Sequence, residues 1–495
     1  MKLSIKNFHL GKTSSPYTTD GAFWKSQNLD IHGQEGIARI NYKPTQVTST
    51  SPVLNKLTHS FASLSGVGGT MVFVDQSGTV KTFSPPNTMS NVGTSPTTYS
   101  GYYVAVWKGY VIANSSTTIK ASLIAAGMDN AWKDISSGLE NITSHQMLVS
   151  TKDPKKIFIC NDNKVAILEE PAGKVFDPDD GTTFDIGAGN LAALTLDSKY
   201  RVQSIEEFGR YLAIFIEVKS HDRTLIMLWD RETATTVEEI IEIKEPKMVG
   251  TLEHEGIIYI TGGRDGNIYT LTPSGIKHHA QIKIGDIDNR NNLAYQGGID
   301  YGIGADKPMA IWKDRLMVVI NNQSPYGLTP TGIYSVKDGK VNHEFLPSAG
   351  DGSSFIRLGA IAAIDDYLIW GWTTASTTSG LDFVRDDNDR ATSYNCYFET
   401  PLLRAGAKLQ KNSISRIEAI LARPLQTDEG VRIKYRKNIN DSWTTLGTKD
   451  FATNGAQSSL VFPGIPNIEN IQLKVEMTTG AASKNTPYLQ ELILF

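Results

Sequence analysis

Few residues in this chain have types and spacings suited to chemistry. Asp386, Asp387 and Asp389 form one carboxylate cluster, and Asp286 with Asp288 another. Hard cations such as Ca²⁺ take oxygen ligands of this kind. Neither cluster has the EF-hand spacing with its glycine and closing glutamate, and both read as acidic, solvated loop. His278 and His279 are adjacent; on a strand their side chains point to opposite faces, which does not make a metal pair. Cys160 and Cys396 lie far apart and have no zinc spacing. There is no GxSxG elbow, HExxH helix, P-loop or dinucleotide fingerprint. No catalytic, cofactor-binding or metal-ligating residue is assigned, no cofactor is expected, and the chain is read as not an enzyme. Trp443, Tyr435 and Tyr488 have the character of a sugar-stacking platform, but SWTTLG is equally a strand-edge tryptophan covering a core.

The stretch DPDDGTTF, with Asp177, Asp179, Gly181, Thr183 and Phe184, resembles the Asp-box of sialidase-like propellers. That motif fixes a blade turn and is structural. Its leading Ser or Thr is here Asp177, and no second box follows.

The elements around these residues repeat. From Gly250 to Thr272 an apolar run, Ile257–Ile260, meets a turn of Gly262, Gly263, Asp265 and Gly266 and resumes at Ile268, Tyr269 and Leu271. Glycine and aspartate tolerate the turn's positive φ, and β-branched and aromatic residues suit a pleated surface. Similar hairpins occur at 67–83, 105–121, 150–168, 205–229, 310–336 and 360–384, a spacing of roughly 40 to 60 residues that marks a β-propeller, with seven blades expected. A β-sandwich array or a β-helix would carry the same hairpins. The strongest echo is among AVWKGYVIA, EEFGRYLAIF, AIWKDRLMVV and AAIDDYLIWG, each with a tight turn between two strands.

Three regions follow. Residues 1–60 read as an extended N-terminal arm anchored by Phe23, Trp24, Leu29, Ile31, Ile37 and Ile40, and as a source of a propeller-closing strand. Residues 61–392 carry the hairpins, ending in a charged linker, VRDDNDRAT. Residues 393–495 alternate with period two, as in ENIQLKVEM, and read as a jelly-roll-like β-sandwich. The whole is all-β. Of the 495 residues 40 % are hydrophobic and 20 % charged, and the net charge is −4 with no long basic run, so no broad nucleic-acid footprint is read from composition. The N-terminus lacks a signal-peptide core, and no apolar stretch is long enough for a membrane span.

The phrase DGAFWKSQNLDIHGQEGIARINYKP, an aromatic pair, Gln-Asn-Leu-Asp, then Gly-Ile and a polar strand, resembles the start of tailed-phage virion proteins. The order of arm, propeller and terminal sandwich is similar to that of nozzle and tail-hub proteins. The resemblance implies a non-enzymatic structural protein of the virion tail or neck, synthesised in the host cytoplasm. Its partners would be other tail and neck proteins and further copies of itself, in a six-fold ring through which DNA passes without sequence-specific contact. A receptor- or glycan-binding tail adhesin is the alternative, and a glycan-cleaving propeller the third reading. Deleting residues 1–40 is expected to impair assembly more than folding. In the index hairpin, Gly266→Val strains a left-handed turn and should lower the melting temperature; unchanged thermal stability would remove the turn assignment.

Overall fold

The computed structural model describes residues 3–6, 8, 23–34, 36–47, 58–63, 70–75, 80–85, 88–91, 103–114, 117–124, 132–140, 146–169, 190–218, 223–232, 237–248, 250–262, 266–282, 308–321, 331–349, 356–374, 378–386, 388–391, 395–404, 412–480 and 483–495. Seven four-stranded antiparallel sheets follow one another as blades. Blade 1 spans Thr58–Ser63 to Thr88–Asn91, blade 2 Tyr103–Trp107 to Lys133–Ser137, and blade 3 Met147–Val149 to Leu194–Thr195. Blade 4 spans Tyr200–Phe208 to Glu239–Ile243, blade 5 Gly250–His254 to Gly275–Gln281, and blade 6 Met309–Trp312 to Lys340–Phe345. Blade 7 uses Ile356–Ile364, Tyr367–Thr374 and Ser379–Val384. Its fourth strand comes from the other end of the chain: Thr45–Gln46 pairs with Phe383 and Asp382.

The blades close into a ring. The first strand of each touches the first strand of the next, and that of blade 7 touches that of blade 1. Seven apolar clusters each straddle one junction, from Val72, Val74, Val104 and Val111 between blades 1 and 2 to Phe73, Phe83, Ile369 and Leu381 between blades 7 and 1. A middle strand is therefore buried on both faces, which is why Arg315–Ile320 reads as a continuous apolar run and not as an alternation. All-β propeller architecture is thus carried by sheet pairing and by burial together.

The echoing turns join the first and second strands of their blades. Lys108–Gly109, Glu255–Gly256 and Lys313–Asp314 each place two consecutive residues at positive φ, the backbone of a type I′ hairpin turn. The tryptophan before the turn adds a link between blades. Trp107 Nε1 donates to Pro154 O of blade 3 at 2.9 Å, and Trp312 Nε1 to Asp366 O of blade 7 at 3.1 Å. Asn321 makes the same junction on the inner side, exchanging bonds of 2.9 and 2.7 Å with the Leu358 backbone.

The second body is a sandwich. One sheet runs Leu3–Ile5, Leu489–Leu494, Asn412–Leu421, Ser459–Ile468. The other runs Lys25–Gln27, Cys396–Glu399, Asn470–Thr478, Gly430–Arg436, Thr444–Asp450, with Leu403–Arg404 beside it. Ile417, Leu460, Val431, Leu473, Val475 and Leu492 fill the space between. In Asn470–Thr478 the alternation holds, but Gln472 and Glu476 on the outer face are also buried. Gln472 donates to Thr400 O at 2.8 Å, and Glu476 lies under Arg432, Lys434 and Lys474.

The N-terminal stretch does not form a separate arm in its described part. Leu3–Ile5 pairs with the last strand, Lys25–Gln27 with Cys396–Glu399, and Thr45–Gln46 with blade 7. Ile5, Phe8, Phe23, Leu29, Ile31 and Ile40 belong to the sandwich core, and Phe8 meets Phe398 with ring centroids 5.2 Å apart. The segment 384–391 is likewise no loose linker, for Arg390 is buried. Six apolar side chains at about 1.5–3 kcal/mol each contribute on the order of 10 kcal/mol, as much as a typical domain's whole stability. Deletion of residues 1–40 should therefore abolish the cooperative unfolding transition of the sandwich in a thermal melt, the reverse of what an assembly arm would do. A deletion variant that melts like the full chain would show the segment to be dispensable for folding.

Candidate functional site: the charged seam between propeller and sandwich

The densest polar cluster among the described residues lies where the stretch 25–42 crosses the outer strands of blade 6. Leu29 and Ile31 point into the sandwich core, so Asp30 between them faces the propeller. Asp30 accepts from Arg39 Nε and Nη2 at 2.9 and 2.7 Å and from the Gly33 N–H at 2.8 Å. Arg315, at the head of a buried strand, places Nη1 3.1 Å from Asp30 and 3.0 Å from Glu344 Oε1. Ser335 donates to the same Glu344 oxygen at 2.6 Å, and Asn41 Nδ2 donates to Oε2.

Amides complete the seam. Ser26 Oγ donates to Asn342 Oδ1 at 2.9 Å, Asn342 Nδ2 to Leu29 O at 2.6 Å, and Leu346 N to Asn28 Oδ1 at 3.0 Å. Asn28 holds φ of 54°, a left-handed conformation that asparagine tolerates. On the far side Arg390 donates Nη1 to Ile40 O at 3.0 Å and stacks on the Tyr42 ring at 3.8 Å. Lys313 lies over Trp312 at 3.9 Å and pairs with Asp386.

Electrostatics separate the two acids. Burial pushes the Asp30 carboxyl up, but Arg315 and Arg39 more than offset it and hold it well below the usual carboxylate range. Burial raises Glu344, and Arg315 only partly opposes that, so it stays above its ordinary value. Burial lowers Arg315, yet Glu344 and Asp30 outweigh it and keep the guanidinium charged. Burial and Arg315 push His32 down to about 4, leaving it neutral at pH 7. Paired acids with divergent pKa values are often an acid–base couple. Here both carboxyls are enclosed and Arg315 ties Glu344 to Asp30, so the arrangement joins blade 6 to the N-terminal stretch.

The residues singled out by sequence do not meet there. Asp177, Asp179, Gly181, Thr183 and Phe184, with Asp286, Asp288 and Asp387, lie outside the described residues. Asp386 is occupied by Lys313, and the Asp389 carbonyl accepts from Lys43 N at 2.7 Å. His278 packs edge-on against Tyr269 and His279 against Tyr259, at 5.5 and 5.7 Å. No group of three His, Cys, Asp or Glu side chains suited to a metal occurs among the described residues. Cys160 and Cys396 are buried in different bodies and form no disulfide. Tyr435 packs toward the sandwich core, Trp443 lies against Arg436 on the other face, and Tyr488 lies under Arg423, so the three form no common platform. A cleft of about 560 Å³ opens beside Phe451, Leu425 and Arg423. The Arg423 guanidinium is already engaged by Glu429, Pro424 O and Thr486 O. No helix among the described residues is long and apolar enough to cross a membrane.

Asp30, Arg315 and Glu344 were missed by sequence reasoning. Their signal is a charge set inside an apolar strand: LDI, DRLMVV and HEFL.

No family model matches this chain, and no curated protein matches it. Among solved structures it is similar to the computationally designed Ika8 protein, at 12 % identity and TM-score 0.40 over 69 % of this chain and 100 % of that one. It is similar at 9 % identity to a chain from the structure of S. cerevisiae Dbp5 bound to Nup159, with TM-score 0.39 over 70 % and 96 % of the two chains. A chain of the mitotic checkpoint complex gives 9 % and 0.40 over 69 % and 91 %. These likenesses assign no family and no function.

Two outcomes follow from the seam and the closing strand. Arg315→Met leaves Glu344 buried without its cation and should destabilise the protein by about 3–5 kcal/mol in denaturant unfolding; a change under about 1 kcal/mol would make the network incidental. At blade 7, burial raises Asp382 to about 6 from 3.8, against bonds from Ser348 and Trp372 Nε1 that favour the charged form. The folded state then keeps a proton that the unfolded chain releases, so Asp382 costs stability as pH rises from about 4 to about 6. Relative to Asp382→Asn, the wild-type protein should lose about 3 kcal/mol over that window; parallel stability–pH curves would refute it.

Proposed function

We propose that this chain is a non-enzymatic structural protein of a tailed-phage virion, of nozzle or tail-hub type, assembled as a ring in the tail or neck. One observation supports the reading above others. The described part of the phrase that carries the resemblance, 23–34 and 36–44, joins the bodies: Asp30, Arg39 and Tyr42 lie in the seam, and Phe23, Leu29, Ile31 and Ile40 in the sandwich core. A ring of identical subunits repeats one head-to-tail interface, and closure needs a fixed rotation between neighbours. A subunit whose two bodies are joined by buried ion pairs and a shared strand segment keeps that rotation constant. The ring's lumen is the place where DNA would pass.

The test is the mass of the purified protein in solution with negative-stain images of the same sample. A closed ring is expected, six-fold by preference, or a monomer that forms rings when mixed with other tail and neck proteins. A stable monomer or trimer that adheres to host cells would replace this reading with a tail adhesin, and turnover of a glycan would replace both.

A further inference from the structure

Three connections of the sandwich, each crossing from one sheet to the other, meet at one of its ends. They are 422–429, 451–458 with the one-turn helix Phe451–Asn454, and the described part of 479–488. Between them lies the cleft of about 560 Å³, inside the range of roughly 300–1,000 Å³ that small-molecule sites occupy. Its walls are braced by the chain itself. Arg423 Nη2 donates to Thr486 O at 2.7 Å, Leu425 N to Gln457 O at 3.0 Å, and Phe451 N to Glu429 O at 2.9 Å. Glu429, which takes Arg423 in a two-point pair, is fully buried.

The lining is mixed. Leu425 is buried, Phe451 half-buried, and Pro424 and Ala456 exposed. Gln426, Thr427 and Asn485 are exposed beside them, and their side chains make no hydrogen bond to any described residue. The backbones of Gln426 and Asn485 are nevertheless fixed, the first by Glu429 and the second by Ser483 and Thr479. Two amides and a hydroxyl, each able to donate and to accept, thus stand open on a held backbone.

The cleft is also electrically quiet. Arg423 is the one ionisable residue of its described lining, and each of its Nη groups is used twice, by Glu429 and by the Pro424 and Thr486 carbonyls. Asp450 caps the short helix, accepting from Thr453 N at 2.7 Å. Asp428 and Lys484, exposed on the flanking loops, are opposite in sign, and neither lines the cleft.

These features discriminate among ligands. A phosphate or carboxylate would have to displace Glu429 from Arg423. A nucleobase would find one ring, Phe451, and no second to close on it. An acyl chain would leave the two amides and the hydroxyl without partners. A sugar ring has an apolar C–H face and a periphery of hydroxyls that donate and accept, which matches an apolar wall beside open amides. We infer that this cleft binds a neutral saccharide, with a ring face against Phe451 and Pro424 and hydroxyls on Gln426, Thr427 and Asn485. The inference goes beyond the virion reading and does not rest on it.

The experiment is a ligand-observed NMR titration of the full chain with cellobiose, maltose, lactose and N,N′-diacetylchitobiose as probes. At least one should bind with a Kd of about 1 mM or tighter. Gln426→Ala with Asn485→Ala should weaken it about tenfold or more without lowering the melting temperature, because these side chains hold nothing in the fold. Ala456→Trp, at an exposed position, should fill the cleft and abolish binding, again with the melting temperature kept. Digalacturonic acid should bind no more tightly than the best neutral probe.

No binding of any of the four sugars overturns the inference, and so does binding that both variants retain. Tighter binding of the acid overturns the neutral class. A closed ring that binds none of these sugars would overturn this inference alone, and a sugar-binding chain that never forms a ring would overturn the virion reading alone.

Discussion

The fold depends on holding the described residues between Leu3 and Gln46 against three partners. They add a strand to each sheet of the sandwich, lay Asp30 against Arg315 of blade 6, and supply the last strand of blade 7. Ring and sandwich are therefore not independent domains joined by a tether. An open propeller would leave a middle strand of blade 7 as a bare edge and uncover the junction where Val47 packs with Phe383. The N-terminal segment reaches that edge only after passing through the sandwich core and the seam. Closure of one body is thus conditional on completion of the other.

The seam shows how burial decides what a charged cluster is for. Four ionisable groups form a chain of ion pairs, Arg39 to Asp30 to Arg315 to Glu344, with Asp30 and Glu344 almost wholly enclosed. Exposed ion pairs of this kind contribute little. Buried ones replace water's solvation with fixed partners, so they are no more stabilising than an apolar seam would be, but each is sensitive to loss of one member. Their geometric demand also fixes how the two bodies sit. An apolar contact between blade 6 and the sandwich would tolerate sliding, whereas Arg315 bridging two carboxylates does not. On the outer face of the second sheet Glu476 is likewise enclosed, beneath Arg432, Lys434 and Lys474.

The propeller was legible because its signal is local. Tight turns such as Lys108–Gly109 and the flanking apolar strands sit within about ten residues of each other, and the blades repeat them. The polar outer strands were not. Glu239–Ile243 and Gly275–Gln281 bury only one residue each and lie outside the expected hairpins. The destination of the N-terminus was illegible for another reason: nothing within 25–42 says that its partners lie around 315, 343 and 396–399. Apolar anchors such as Phe23 and Ile31 announce burial without saying against what. Arg315 gave the one local hint, a charge heading an apolar strand, which implies a buried counter-ion somewhere.

Leu3–Ile5 pairs with Leu489–Leu494, a strand separated from it by almost the whole described chain. Long-range pairings of this kind delay completion of a fold until the ends can meet. A chain released early lacks the strand that captures the N-terminus and leaves the first sandwich sheet unfinished. It also lacks the Ser483 carbonyl that accepts the Arg390 N–H beside the seam. Such a fragment holds neither the finished sheet nor the finished seam, so the topology makes the whole fold conditional on its most distant strand.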